Sequence, residues 1–182
     1  MPYSPLDHFP ANLHARAHDI RLACFDVDGT LTDGRLFYDH AGNESKAYYV
    51  QDGLGLKLLQ QHGIHPVLIT ARNSLSAQKR GADLGIDTQI AVGDKLASVR
   101  ALCEQLGIGL EQVAFMGDDL PDLAPLCAVG LAVAPADAHP WIAERVHWQT
   151  RARGGRGAAR ELCDVLLAAQ GKLDAVLARF SR

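Results

Sequence analysis

Short apolar runs punctuate this chain, and most of them stop at a polar residue able to do chemistry. Leu22-Ala-Cys-Phe25 ends at Asp26, His65-Pro-Val-Leu-Ile69 at Thr70, and Val113-Ala-Phe-Met116 at Gly117-Asp118. Thr88 to Val92 and Val129 to Val133 are two more such runs. Continuous apolar runs of this length, without alternation, read as strands buried on both faces. Between them the period changes to that of a helix. Gly53 to Gln61 carries Leu54, Leu58 and Leu59 and stops at Gly63, as a helix does at glycine. Asn73 or Ser74 can cap a helix that ends near Gly85, and Asp94 one with Leu96, Val99, Leu102, Cys103 and Leu106 on one face. A short helix follows Asp119, Ala138 to Arg145 is helical and Val146 to Gln149 extended. Ala158 to Gln170 forms a long helix, with a second piece to Phe180. Strands alternating with helices predict an α/β fold: a three-layer, doubly wound, mostly parallel sheet.

Three segments depart from this alternation. Residues 1–20 form an extension in which Leu6, Phe9, Leu13, Ala17 and Ile20 fall at helical spacing. Arg35-Leu-Phe-Tyr38 and Lys46-Ala-Tyr-Tyr-Val50 flank the turn-forming Asp39-His-Ala-Gly-Asn43, which predicts a hairpin inside the first crossover. Its aromatics Phe37, Tyr38, Tyr48 and Tyr49 are expected to be partly exposed, which favours an interface. Arg151-Ala-Arg-Gly-Gly-Arg-Gly157 is a glycine-rich, basic break. The expected organisation is an extension over 1–20, one domain over 21–170 with a flap at about 35–50, and a tail over 171–182.

Composition narrows the function classes. A hydrophobic share of 48% against 21% charged excludes a disordered chain. A net charge of -3 and a pI near 6.2 give no bulk attraction for nucleic acid, so an anionic ligand needs a local basic group or a metal. No apolar run has the length of a membrane span and no leader pattern opens the chain, so a cytoplasmic protein with no membrane partner is expected. Cys24, Cys103, Cys127 and Cys163 form no C-x-x-C pair and are expected to be small buried hydrophobes. His8, His14 and His18 are expected to be surface residues rather than a metal cluster, since no carboxylate-rich surroundings accompany them.

In doubly wound sheets, ligands bind beyond the carboxyl ends of the strands. Here those ends carry Asp26-Val-Asp28-Gly-Thr30, Thr70-Ala-Arg72, Gly93-Asp94-Lys95 and Gly117-Asp118-Asp119-Leu-Pro-Asp122. A carboxylate pair, a hydroxyl, an ammonium and an acidic cluster would meet at one edge. Phosphoryl transfer asks for such a set, because positioning and charge stabilisation dominate it. Asp26 and Asp118 can offer oxygen ligands to Mg²⁺. Asp26 can act as nucleophile, and Asp28, two residues on, as acid and base. Thr70 can donate to a phosphoryl oxygen and Lys95 can neutralise charge.

These four elements resemble the motifs of the haloacid dehalogenase superfamily of phosphatases. The resemblance implies Asp26 as nucleophile, Asp28 as acid/base, and Mg²⁺ on Asp26, the Asp28 main-chain carbonyl and Asp118, with Asp119 and Asp122 in support. Asp28-Gly-Thr-Leu-Thr-Asp-Gly34, Lys46 to Gly55, Gly117 to Asp122, Ala136-Asp-Ala-His-Pro140 and Gly154-Gly-Arg-Gly-Ala-Ala-Arg-Glu161 resemble, more closely, the 3-deoxy-D-manno-octulosonate (KDO) 8-phosphate phosphatases. That likeness implies a core with no large cap domain, a homotetramer joined through the flaps, and neighbouring subunits that close each site. It implies a sugar-acid phosphate substrate in lipopolysaccharide biosynthesis, met by Asp28, Gln51, Asp52, Gly53, Arg72, Arg80 and Lys95. Arg151 and Arg156 of the tail would reach toward an active site. The sequence leaves open a nine-carbon sialic-type acid 9-phosphate as substrate, and a non-catalytic tetrameric binding module of the same fold.

Overall fold

The computed structural model describes residues 4–181. The first three residues of the N-terminal extension and the last residue of the tail lie outside it. Helix α1 is His14–Asp19, preceded by two 3-10 turns, Pro5–His8 and Ala11–Leu13. Then come β1 (Leu22–Phe25), β2 (Phe37–Tyr38), β3 (Glu44–Ser45), α2 (Val50–Gln61), β4 (His65–Ile69), α3 (Leu75–Leu84) and β5 (Asp87–Gln89). The second half adds α4 (Lys95–Leu106), β6 (Val113–Met116), α5 (Leu123–Ala128), β7 (Leu131–Ala134), α6 (Pro140–Ala143), β8 (Trp148–Gln149), α7 (Ala158–Ala169) and α8 (Leu173–Phe180).

The main sheet runs β5-β4-β1-β6-β7-β8, parallel throughout. Side chains alternate across it with period two. Ala23, Phe25, Leu68, Ala114 and Met116 pack on one face with α2 and α7, while Leu22, Cys24, Val67, Ile69 and Phe115 pack on the other with α4 and α5. Both faces are covered, which is why the strands carry no polar alternation. Truncating fully buried Phe115 to alanine would cost about 3–5 kcal/mol. From central β1 the chain builds β4 and β5 on one side, then crosses to β6, β7 and β8 on the other. The switch point therefore lies between β1 and β6, where a doubly wound sheet opens its crevice.

Local signals explain most boundaries. Ser74 and Asp94 accept from the backbone amides of Ala77 and Ala97 and so start α3 and α4. Gly85 and Gly107 end them in the left-handed conformation.

The hairpin is shorter than its sequence pattern predicts. β2 pairs with β3 at Glu44–Ser45 rather than at Lys46–Val50, and α2 begins at Val50 rather than Gly53. The turn itself sets this register: Asp39 accepts from the amides of Ala41 and Asn43 and from the Asn43 side chain. Past Ser45 the chain leaves the hairpin, because Lys46 and Tyr48 turn toward the body.

The N-terminal extension is part of the core. Phe9, Leu13, Ala17 and Ile20 are buried, and Phe9 meets Trp148 edge-on at 5.0 Å. His8 and His18 are exposed, and His14 stacks on Phe9. Cys24, Cys103 and Cys163 are buried as expected, whereas Cys127 is exposed near the end of α5; all four are free thiols. Among the described residues no helix is long and apolar enough to cross a membrane.

Candidate active site

β1 delivers Asp26 to the crevice, and the Asp26 amide still donates to Met116 on β6. The chain then turns tightly: the amides of Leu31 and Thr32 both donate to the Val27 carbonyl. Gly29 sits at φ 100°, and a Cβ there would lie 2.1 Å from the Asp118 carboxylate. Only glycine lets the turn after Asp26 approach the Gly-Asp-Asp loop this closely. Thr30 closes the gap by donating to Asp118 Oδ1 at 3.1 Å.

Lys95 is the first residue of α4, and its ammonium is buried between Asp26 Oδ1 and Asp122 Oδ1, the latter at 2.6 Å. Asp122 is used on both oxygens, since its Oδ2 accepts from the amides of Asp118 and Asp119 at 3.1 and 3.4 Å. Thr70, at the end of β4, donates to Asp28 Oδ2 at 3.2 Å. Asp26, Asp28, Thr70, Arg72, Lys95, Asp118, Asp119 and Asp122 line one cleft of about 320 Å³. The four strand-end motifs therefore do converge.

The electrostatics of the cluster are those of crowded carboxylates. Burial, then the neighbouring Asp122 charge, raises the Asp118 pKa to about 7. Asp26 and Asp122 are also raised, chiefly by burial. Burial works against the Lys95 ammonium, yet Asp26 and Asp122 beside it hold its pKa above the usual lysine value. Carboxylate oxygens of Asp26, Asp118 and Asp122 lie within 4.8 Å of one another. Three hard oxygen donors with a net negative charge suit a small divalent cation. Asp122 already accepts from Lys95 and from two backbone amides, more than Asp26 or Asp118 does, so those two are the better-placed ligands. Asp119 instead caps its own turn, accepting from the Leu120 amide at 2.8 Å.

Other residues singled out in the sequence sit elsewhere in the chain. Asp52 is buried and accepts from the amides of Gly157 and Arg160, so it caps α7. Gly53 and Gly55 are packing positions: a Cβ would lie 2.2 Å from Arg80 and 2.9 Å from Arg160, respectively. Arg80 lies over the Tyr48 ring at 5.6 Å. Gln51, Arg151 and Arg156 line a separate groove of about 470 Å³. Arg72 reaches the cleft rim, where its guanidinium binds Glu44 at 2.7 Å and the Tyr38 hydroxyl at 3.1 Å.

The glycine-rich segment packs against the turn that follows Asp26. A Cβ at Gly154 would fall 1.8 Å from the Gly29 carbonyl, and the Gly155 amide donates to Thr30 at 3.0 Å. Sequence reasoning missed Lys46, whose ammonium lies 2.5 Å from Asp28 Oδ1. A lone lysine beside aromatic residues in a hairpin gives no signal of such a contact.

Residues 91–162 match the model of the haloacid dehalogenase-like hydrolases. The 3-deoxy-D-manno-octulosonate 8-phosphate phosphatase of Escherichia coli K12 is 45% identical over 94% of this chain and 90% of its own length. A crystal structure of a Xanthomonas campestris protein described as hypothetical superposes with a TM-score of 0.98, at 69% identity and 100% coverage of both chains. The Moraxella catarrhalis 3-deoxy-D-manno-octulosonate 8-phosphate phosphatase, solved with a magnesium ion, a phosphate ion and KDO, superposes with a TM-score of 0.90 at 39% identity, covering 93% of this chain and 98% of that one. With the strand-end carboxylates, threonine and lysine gathered in one cleft and this degree of likeness along nearly the whole chain, the protein belongs to the KDO 8-phosphate phosphatases of the haloacid dehalogenase-like hydrolases.

Proposed function

We propose that the chain hydrolyses KDO 8-phosphate to KDO and inorganic phosphate with Mg²⁺, through an aspartyl-phosphate on Asp26, as a step of lipopolysaccharide biosynthesis in the cytoplasm. The observation that carries this reading is the convergence of Asp26, Asp28, Thr70, Lys95 and Asp118 on a single cleft. The relatives' names support the substrate.

An Asp26 carboxylate oxygen forms a bond to phosphorus as the bond from phosphorus to the sugar oxygen breaks. Asp28, protonated, gives its proton to that leaving oxygen. As a carboxylate it then takes a proton from the water that attacks phosphorus, which frees Asp26 and phosphate. Lys95 fixes the Asp26 carboxylate and Asp122 fixes Lys95. Thr70 is placed to turn its hydroxyl from Asp28 to a phosphoryl oxygen. Mg²⁺, held by Asp26, the Asp28 main-chain carbonyl and Asp118, would neutralise the repulsion between Asp26 and the incoming phosphate.

Among the described residues no domain covers the cleft, and Phe37, Tyr38, Val50 and Leu75 are exposed. A homotetramer buries such a patch and closes the cleft against water. Arg72 would then recognise the sugar carboxylate, with Arg80, Gln51, Arg151 and Arg156 serving a neighbour's site. A phosphate-release panel at equal concentration tests the assignment. KDO 8-phosphate is expected to outrun a nine-carbon sialic-type acid 9-phosphate in kcat/KM by at least about tenfold. A reversed ranking would reassign the substrate, and no release from any sugar phosphate would remove the enzymatic reading.

A further inference from the structure

Lys46 is carried by an exposed flap, yet its side chain is 0% exposed. Its Nζ lies 2.5 Å from Asp28 Oδ1 and 3.2 Å from Glu44 Oε1. Neither Nζ nor that Asp28 oxygen makes a hydrogen bond of normal alignment among the described residues, so the contact is an ion pair that restrains the carboxyl without locking its angle. The other Asp28 oxygen takes the Thr70 hydroxyl. Glu44 is itself anchored to the body, accepting from Arg72 at 2.7 Å and from Ser74 at 2.9 Å. Burying an ammonium costs several kcal/mol unless it is paired, and an apolar residue of similar length would fill the same space without that cost. The flap therefore holds a charge against one particular carboxyl, where packing alone did not require it.

We propose that Lys46 is a positioning residue for Asp28, and that Glu44 and Lys46 together make proton transfer depend on a seated flap. The inference rests on the reading of Asp28 as acid and base. Lys46 gives and takes no proton: the proton that reaches the leaving oxygen comes from Asp28 Oδ2, the oxygen Thr70 would release, while Oδ1 keeps facing the Lys46 nitrogen, and the proton removed from water returns to Oδ2. The role of Lys46 is to keep the Asp28 carboxyl turned toward the bridging oxygen of the ester.

Leaving-group dependence separates this role from a structural one. An alkyl phosphate such as KDO 8-phosphate needs a proton on its departing oxygen, whereas p-nitrophenyl phosphate releases a stable anion without one. In Lys46→Met at saturating Mg²⁺, kcat/KM for KDO 8-phosphate is expected to fall about 100-fold, and that for p-nitrophenyl phosphate by no more than about threefold. Glu44→Gln is expected to move the same ratio in the same direction, by about tenfold. Equal losses on both substrates, or no loss on either, would overturn the proposal. Asp28→Asn is run beside them. If it discriminates between the esters and Lys46→Met does not, only the positioning role falls; if it does not discriminate, the acid assignment falls and the inference with it. Should Lys46→Met fail to fold by circular dichroism, the ratio measured in Glu44→Gln decides by the same criterion.

Discussion

Asp122 and Arg72 border the same cleft and are held in different ways. Asp122 is buried, and both its oxygens are bonded, one to Lys95 at the start of α4 and the other to the amides of Asp118 and Asp119 just past β6. Arg72 is 43% exposed and tied to a two-strand flap. Around it Phe37 and Tyr38 stand 55% and 59% exposed. The strand-end cluster is gathered by one chain, while the residues around Arg72 are left largely open to solvent. A pre-organised charge cluster needs rigid support, which the sheet supplies. Substrate enclosure needs parts that move or arrive from elsewhere, and the flap with its exposed neighbours fits that need.

The comparison predicts that damage to the cluster abolishes chemistry whatever the substrate, while damage to the flap changes selection. The largest expected effect is that of Asp26→Asn, a loss on the order of 10⁵-fold in kcat for every phosphate ester tested. Steady-state phosphate release measures it. Lys95→Met follows, with kcat down about 10³-fold. It also loses about 3 kcal/mol of stability at pH 8, since two buried carboxylates lose their counter-charge. That stability loss shrinks toward pH 6, because Asp26 and Asp122, with raised pKa values, take up protons more readily there. Urea titrations at the two pH values read the difference. A double flap variant, Phe37→Ser with Tyr38→Ser, is expected to lower kcat/KM for KDO 8-phosphate about 30-fold, and for p-nitrophenyl phosphate by less than about threefold. Light scattering should then show a smaller assembly than for the parent chain. An equal loss on both esters would erase the distinction between cluster and flap.

The smallest effect sharpens the electrostatic side. Asp118 has a folded-state pKa of about 7, above its unfolded value, through burial and then the Asp122 charge. Such a group destabilises the metal-free fold above pH 7, and the penalty fades as pH falls through 7 toward 4. Metal-free protein should therefore be more stable at pH 6 than at pH 8, and Asp118→Asn should raise its stability at pH 8 by about 1 kcal/mol. Added Mg²⁺ should stabilise the parent more at pH 8 than at pH 6 and leave the variant nearly unmoved. Thermal melts with and without chelator distinguish these cases.

The sequence made the strand-end cluster legible because its physics is local. Buried parallel strands are short apolar runs, and residues just past them must lie at one edge of the sheet. Asp26, Thr70 and Asp118 followed from that alone, as did Lys95 in the Gly93-Asp94-Lys95 that follows the third apolar run. The flap was less legible. Its pairing stops at Ser45 because Lys46 folds back to Asp28, a contact between hairpin and core that no periodicity records. Asp52, Gly53 and Gly55 drew attention as a motif, yet they are the seam between α2, α3 and α7. Two glycines at alternate positions of a helix were the available sign of close packing. The glycine-rich segment is a second place of close packing. Its small residues admit the turn after Asp26 at contact distance, and the three arginines set among them are exposed within this chain.

Reductive trapping tests the central claim most directly. Enzyme mixed with KDO 8-phosphate and Mg²⁺ is quenched during turnover, reduced with sodium borohydride, digested and sequenced by mass spectrometry. An acyl phosphate on Asp26 is reduced to homoserine, so homoserine at position 26 alone is the expected result, absent without substrate and absent in Asp26→Asn. Homoserine at Asp28 or Asp118, or none at any quench time while phosphate is being released, would contradict the account.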